Sequence, residues 1–286
     1  MKRFITAVIL FTTICHMISA EERHEAFLKA QYEQWSILGS GTGKEYTKTD
    51  KFILQIGEGT SYYYDPQTYY VDSLMNDPVG RGIYDETFSK LLKESLADNS
   101  GNLFQKLDEL GLSGKSRYRA IKDFPESKIT VYDWISPDFY EYNVDMSDLN
   151  WELADSTMTV LGYECNMATA DYHGRKWKAW FAPEVPVQDG PWQLCGLPGL
   201  IMKAVTDDGL FGFEITGLET CNEMFKQTYI NKDKLFKSKR KSYLKMKDYG
   251  RRNRGAMISA MTNGKVNPKN ADYKGNDDFM ETDYHE

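Results

Sequence analysis

From Lys128 onward the chain holds a period of two, and that period restricts it to antiparallel strands. KITVYDWI sets Ile129, Val131 and Asp133 on one side of an extended segment and their neighbours on the other. Pro137 interrupts the run and FYEYNVDM resumes it. MTVLGYECNMATADYHGRKWKAWFA then reads as two long strands joined near Asp171–Gly174. Gly209 separates Leu200–Thr206 from Leu210–Leu218, which makes a further hairpin. Strands joined by turns this short pair antiparallel, because a parallel crossover needs a dozen or more residues. The expected fold is mainly β with a small helical insert (α+β), built on a curved antiparallel sheet.

Upstream the pattern is mixed. Residues 21–38 fit either a helix or a polar lead followed by an edge strand from Ala30 to Leu38, and Gly39–Gly43 ends either. Phe52–Ile56 and Thr60–Tyr64 read as strands around a Gly57-Glu58-Gly59 turn. Phe88, Leu91, Leu92, Ser95 and Leu96 then recur at helical spacing, which predicts a helix over 84–97. Leu103, Leu107 and Leu110 predict a second over 102–110, stopped by Gly111. One domain is expected over 21–255, followed by a flexible acidic tail over 256–286.

The first twenty residues have the form of an export signal: Lys2 and Arg3 lead, Phe4–Ile14 is apolar, and Ala20 suits cleavage. Thr12-Thr13-Ile14 is bulky where lipidation of Cys15 would need small residues. An oxidising compartment favours pairing among Cys165, Cys195 and Cys221, which lack the spacing of a zinc site. No metal or other cofactor is expected. The formal net charge of −7 favours solubility and names no ligand. Nineteen tyrosines and six tryptophans suit cross-strand packing, with some left for a binding face.

One ordered series stands out: Trp151-Glu152-Leu153, Gly162-Tyr163-Glu164-Cys165, Gly174-Arg175, Ala179-Trp180-Phe181, Pro186, Gly190-Pro191-Trp192 and Cys195–Ile201. It resembles the GLPGLI family of exported Bacteroidetes proteins, largely of unknown function, and Gly196–Ile201 matches that hexapeptide letter for letter. The resemblance covers roughly residues 120–220 and implies a periplasmic or outer-envelope location. The chain departs from the family at His173-Gly174-Arg175, where histidine replaces a common arginine. Cys165 and Cys195 match the family's two cysteine positions, so the resemblance implies a structural disulfide between them; a Cys195–Cys221 link is the alternative. Such a bond would pin the corner formed by Gly190, Pro191, Gly196, Pro198 and Gly199 and let Leu197, Leu200 and Ile201 pack inward.

Candidate chemistry is sparse. No serine stands in a nucleophile-elbow pattern, and His173 falls in a turn. A hydrolase acting on an envelope peptide or glycan would need Asp171, His173, Glu184 or Asp207 to converge. Arg175 and Trp177 are binding candidates on one strand face, with Trp180 on the opposite face as core. From Lys232 to Arg254 there are eleven Lys or Arg and two Asp, so Lys239, Arg240, Lys241, Arg251, Arg252 and Arg254 are candidates for an anionic surface. The expected partners are an outer-membrane or envelope protein, a peptide, a glycan or an anionic lipid surface. An exported acidic chain with few aromatics in its basic stretch excludes nucleic acid. The leading expectation is a non-enzymatic envelope binding protein.

Overall fold

The computed structural model describes residues 25–39, 43–98, 101–226, 235–261 and 279–285. The expected export signal and the lipidation question at Cys15 lie outside them. One sheet of 12 strands dominates: β1 (Glu25–Leu38), β2 (Tyr46–Gly57), β3 (Thr60–Tyr64), β4 (Arg119–Asp123), β5 (Lys128–Ile135), β6 (Asp138–Asp145), β7 (Glu152–Val160), β8 (Tyr163–Tyr172), β9 (Arg175–Ala182), β10 (Leu200–Thr206), β11 (Phe211–Met224) and β12 (Leu235–Lys237). Their order is β12-β6-β5-β4-β3-β2-β1-β11-β10-β9-β8-β7. Two meanders meet where β1 pairs with β11, and every pair is antiparallel except β12 with β6. The mainly β expectation holds, and residues 25–38 are strand rather than helix.

The turns follow from local chemistry. Leu161-Gly162 joins β7 to β8 and His173-Gly174 joins β8 to β9, each with both residues at positive φ. That is the two-residue hairpin geometry whose twist matches the strands, and glycine second makes it inexpensive. The helical insert is larger than the apolar spacing predicts. It comprises α1 (Pro66–Asn76), α2 (Pro78–Ala97) and α3 (Leu103–Glu109). Asp65 caps α1 by accepting from the Thr68 amide at 2.6 Å, and Asp77 caps α2 by accepting from Gly80 at 2.7 Å. A proline follows each cap at the first helical position, where its missing donor costs nothing. Among the described residues two further α-helices follow β12, α4 (Arg240–Arg252) and α5 (Arg254–Met261).

The segment between β9 and β10, residues 183–199, fills the inside of the sheet. Trp192, Leu194, Leu197, Leu200 and Ile201 are buried, and Trp192 packs with Trp177 of β9 and Phe213 of β11 at 5.6 and 6.4 Å. Its reach shows the curvature. Gln193 donates to the Tyr118 hydroxyl, just before β4, at 3.2 Å and accepts from Tyr172 of β8 at 3.3 Å. Those strands are seven places apart in the sheet, about 34 Å if it were flat. The sheet therefore wraps around the corner.

Lys122 of β4 fixes that arrangement. Its fully buried ammonium lies 2.6 Å from Asp189 Oδ1 and donates to the carbonyls of Gly190 at 2.6 Å and Leu194 at 3.0 Å. Three oxygens match the three donors of an ammonium. Removing one partner of a buried, hydrogen-bonded pair strands the other charge. Lys122→Met is therefore expected to destabilise the protein by about 3–5 kcal/mol in urea unfolding. Adding Asp189→Asn to it should recover part of that loss; no recovery would contradict the stranded-charge account.

Candidate functional site

The corner is held without a disulfide: Cys165, Cys195 and Cys221 are all free thiols. This corrects the expected Cys165–Cys195 bond, and the alternative Cys195–Cys221 link is absent as well. The two buried thiols have different surroundings. Cys165 donates to Tyr163 O at 3.5 Å on its own strand and lies near Glu184, whereas Cys195 lies near Lys122 and Asp189. Cys195 also offers its carbonyl to the Trp151 indole at 2.8 Å. Burial pushes the Cys195 thiol up to about 11 and raises Cys165 also, so neither is a thiolate nucleophile near neutral pH.

The five corner residues differ in what they do. A side chain at Gly190 would meet Ile201 at 2.8 Å, and one at Gly199 would meet the Ala182 carbonyl at 2.3 Å, so both admit close backbone approach. Pro191 is buried and accepts from the Leu194 amide at 3.0 Å. Gly196 and Pro198 are exposed, and Gly196 has φ 88°.

The other candidates are dispersed. Asp171 is exposed opposite Lys176 in the ladder, and Asp207 is exposed with Lys178 Nζ at 2.6 Å. Glu184 stands at a separate hollow, and His173 is buried. Among the described residues no group of three or more His, Cys, Asp or Glu is placed to hold a metal ion. The tryptophan faces are the reverse of the expectation. Trp177 is fully buried with Ala179 and Phe181, because that face of β9 looks onto the corner, while Trp180 is only half-buried.

Arg175 and the basic helix meet at a polar cluster that the sequence does not announce. Residues 279–285 return to the sheet beside the β8–β9 turn. Arg175 donates to the Phe279 carbonyl through Nε at 2.9 Å and Nη2 at 2.7 Å, and through Nη1 to Asp208 at 2.6 Å. Arg240 donates to Glu281 at 2.5 Å and forks onto Asp283, and Lys241 is 4.0 Å from Asp283. Arg251 and Arg252 pair with Asp248 on α4, and Lys247 pairs with Asp133 of β5. Several of the cations expected to face an anionic surface are thus matched within the chain; Lys239 and Arg254 are exposed. Within the tail expected to be flexible, Glu281 and Tyr284 are buried.

Beside these groups His173 is held neutral, its pKa lowered to about 3 by burial first and by Arg240 second. Burial raises Glu281, with Arg240 opposing it. Burial also acts against the Asp283 carboxylate, but Arg240 outweighs it and leaves that carboxyl below its ordinary value.

The described hollows lie elsewhere. One of about 440 Å³ separates the helical insert from β5, where Tyr84, Phe104, Arg117 and Trp134 face it. Arg117 is engaged there by Asp72 at 3.1 Å and lies over the Trp134 ring at 5.6 Å. A second, about 560 Å³, lies along Lys48–Lys51 and Asp65–Gln67. Two more adjoin each other at the end of the corner loop and share Phe27 and Val187. The first of these, about 470 Å³, is walled by Phe27, Tyr163, Val185, Pro186, Val187 and Leu218, with exposed Glu184 and Glu219 also lining it. The other, about 250 Å³, adds Ile56 and Phe124. Phe27 is 47% exposed. It falls where the β1 register slips against both β2 and β11, between Ala26 and Leu28. Such slips re-aim a side chain that a regular ladder would not present.

Residues 171–203 match the model of a family described as a protein of unknown function (Porph_ging). The matched stretch runs from the β8–β9 turn through the whole corner into β10. No curated protein matches the chain. Among solved structures, PNGF-II in its P21 and C2 crystal forms is similar at a TM-score of 0.48 and 12% identity, over 77% and 79% of this chain. The chain spans about a third of the length of those structures, 33% of each.

The depressed His173 pKa has a measurable consequence. An unfolded histidine titrates near 6.5, so between about 6.5 and 3 the unfolded chain binds the extra proton and stability falls as pH is lowered. This group alone should cost about 2 kcal/mol by pH 5. The raised Glu281 acts with the opposite sign, and Asp283 adds to the loss as pH falls toward its folded value. His173→Asn keeps a residue tolerant of positive φ, so its unfolding free energy should depend less on pH between 6.5 and 5 than that of the parent. Parallel slopes for the two proteins would contradict the assignment.

Proposed function

We propose that this chain is an exported, non-enzymatic binding protein of the cell envelope that holds an apolar, extended peptide segment in the paired hollows around Phe27. The carrying observation is that the two hollows are neighbours: Phe27 and Val187 line both, and their walls are predominantly apolar side chains. Concave apolar sites with a few polar groups are where ligands bind. Two neighbouring apolar hollows suit successive side chains of an extended peptide, which project about 6–7 Å apart on one face. Exposed Glu184 beside them favours a peptide carrying a basic residue next to its apolar ones, whereas Glu219 is engaged by Lys29 at 2.8 Å.

Two further observations support binding over catalysis. His173 lies 3.9 Å from Glu281 and from Asp283, but both carboxylates are bound by Arg240; Asp171 and Asp207 are exposed, Glu184 stands at a separate hollow, and Cys165 and Cys195, with raised pKa, are buried. The Lys2-Arg3 lead and apolar Phe4–Ile14 run support export. A general electrostatic contact through Lys232–Arg254 has less support, since Arg240, Lys247, Arg251 and Arg252 have carboxylate partners within the chain.

The test is titration of the mature protein with hexapeptides containing alternate Leu or Phe and one Lys, followed by nuclear magnetic resonance. Shifts should map to Phe27, Val185, Val187 and Leu218, and Phe27→Ser should weaken binding about tenfold or more. Cleavage of the peptide, or shifts produced only by oligosaccharides, would turn the reading toward a hydrolase or a glycan binder.

A further inference from the structure

The segment 279–285 makes its contacts in the manner of a bound peptide. Its Thr282 amide donates to the His173 carbonyl at 2.8 Å, and its hydroxyl donates to the Gly174 carbonyl at 3.0 Å. Those are main-chain acceptors at a hairpin turn. The acidic side chains meet cationic and amide receptors: Arg240 takes both Glu281 and Asp283, and Gln193 donates to Glu281 at 3.2 Å. The aromatic ones are covered. The Arg251 guanidinium lies 4.2 Å from the centre of the Phe279 ring, and the buried Tyr284 meets that ring edge-on at 6.0 Å.

The receiving surface is shaped for this occupant. A side chain at Gly174 would come within 2.4 Å of the Thr282 hydroxyl and 2.7 Å of the Asp283 amide. The receptors named here belong to the β8–β9 turn, the corner and α4; α4 packs on β6, where Tyr243 stacks on Tyr142, and the corner packs on β9 through Trp192 and Trp177. The segment has no strand pairing in the sheet and contains a single short 3-10 turn, Asp283–His285. Main-chain capture, charge-assisted hydrogen bonds and aromatic anchors are the means by which folded domains hold peptides from other chains.

We propose that the cleft between α4 and the β8–β9 hairpin is a recognition site for acidic, aromatic-bearing peptide segments of a partner protein, and that residues 279–285 are its resident intramolecular occupant. The pattern it reads is aromatic, then Glu, then Asp-aromatic, as in Phe279, Glu281, Asp283 and Tyr284. The covalent connection gives this occupant the advantage of an effective concentration on the order of 1 mM. A partner segment enters by displacing it. The cleft is separate from the Phe27 hollows and tests independently of them.

A protease recognition sequence placed within residues 262–278 of the full chain allows the connection to be cut after folding. A fluorescent peptide of residues 279–286 is then added and followed by anisotropy, with circular dichroism reporting the fold. The cut protein should bind the peptide to one equivalent, and the uncut protein should bind it at least about 100-fold more weakly. A peptide carrying Glu281→Gln and Asp283→Asn should bind the cut protein at least about 10-fold more weakly than the native peptide. Unfolding on cutting would make the segment a fixed part of the core and overturn the proposal. So would a folded, cut protein that takes up no peptide. Equal binding of the neutral peptide would overturn the acidic specificity.

Discussion

A lysine ammonium with no exposed surface has to be surrounded by oxygens, and in this protein one corner supplies all of them. Asp189, the Gly190 carbonyl and the Leu194 carbonyl come from a single stretch of six residues between two strands, while Lys122 comes from the other meander. The contact dictates how far the sheet must bend before β4 can reach the corner. Everything inside the bend follows from it. Trp192 enters between Trp177 and Phe213, Gln193 bridges Tyr118 and Tyr172, and the Tyr32 hydroxyl donates to the Ile201 carbonyl at 2.7 Å. A disulfide would constrain the same corner through the unfolded chain; a buried ion pair constrains it through the cost of leaving either partner alone.

The same economy governs the surface. Charges that look available in the sequence are drawn into pairs that fasten peripheral pieces to the sheet. Asp72 of α1 is engaged by Arg117 and Arg119, Lys247 of α4 by Asp133, and Arg240 by the chain's own end. What remains concave and apolar is the end of the corner loop, where the register slip in β1 presents Phe27. Binding there and binding in the α4 cleft draw on different physics, apolar burial in one and charge-assisted capture in the other.

How much of this could be read in advance depended on whether the signal was local. Alternation and turn glycines are local, so β5, β6, β8, β9, β10 and β11 were legible, as was the inward packing of Leu197, Leu200 and Ile201. Asp65-Pro66 and Asp77-Pro78 are equally local helix-start signals, and they mark α1 and the true start of α2. The parity of β9 placed Trp177 and Trp180 on opposite faces, but parity cannot say which face is buried.

By itself, then, the sequence determined the hairpin pairs β5–β6, β8–β9 and β10–β11, their antiparallel sense and the corner between β9 and β10, because each rests on residues within a few positions of one another. Tertiary structure alone decided that Lys122, in the unremarkable run RAIKD, is the corner's partner, since the two lie 67 positions apart. It alone decided that Cys165 and Cys195 remain thiols, because pairing depends on the relative placement of two side chains and not on their spacing. And it alone decided that Arg240 faces Glu281 and Asp283, more than 40 positions away, rather than solvent: in a buried cleft the opposite charges are the only available replacement for water.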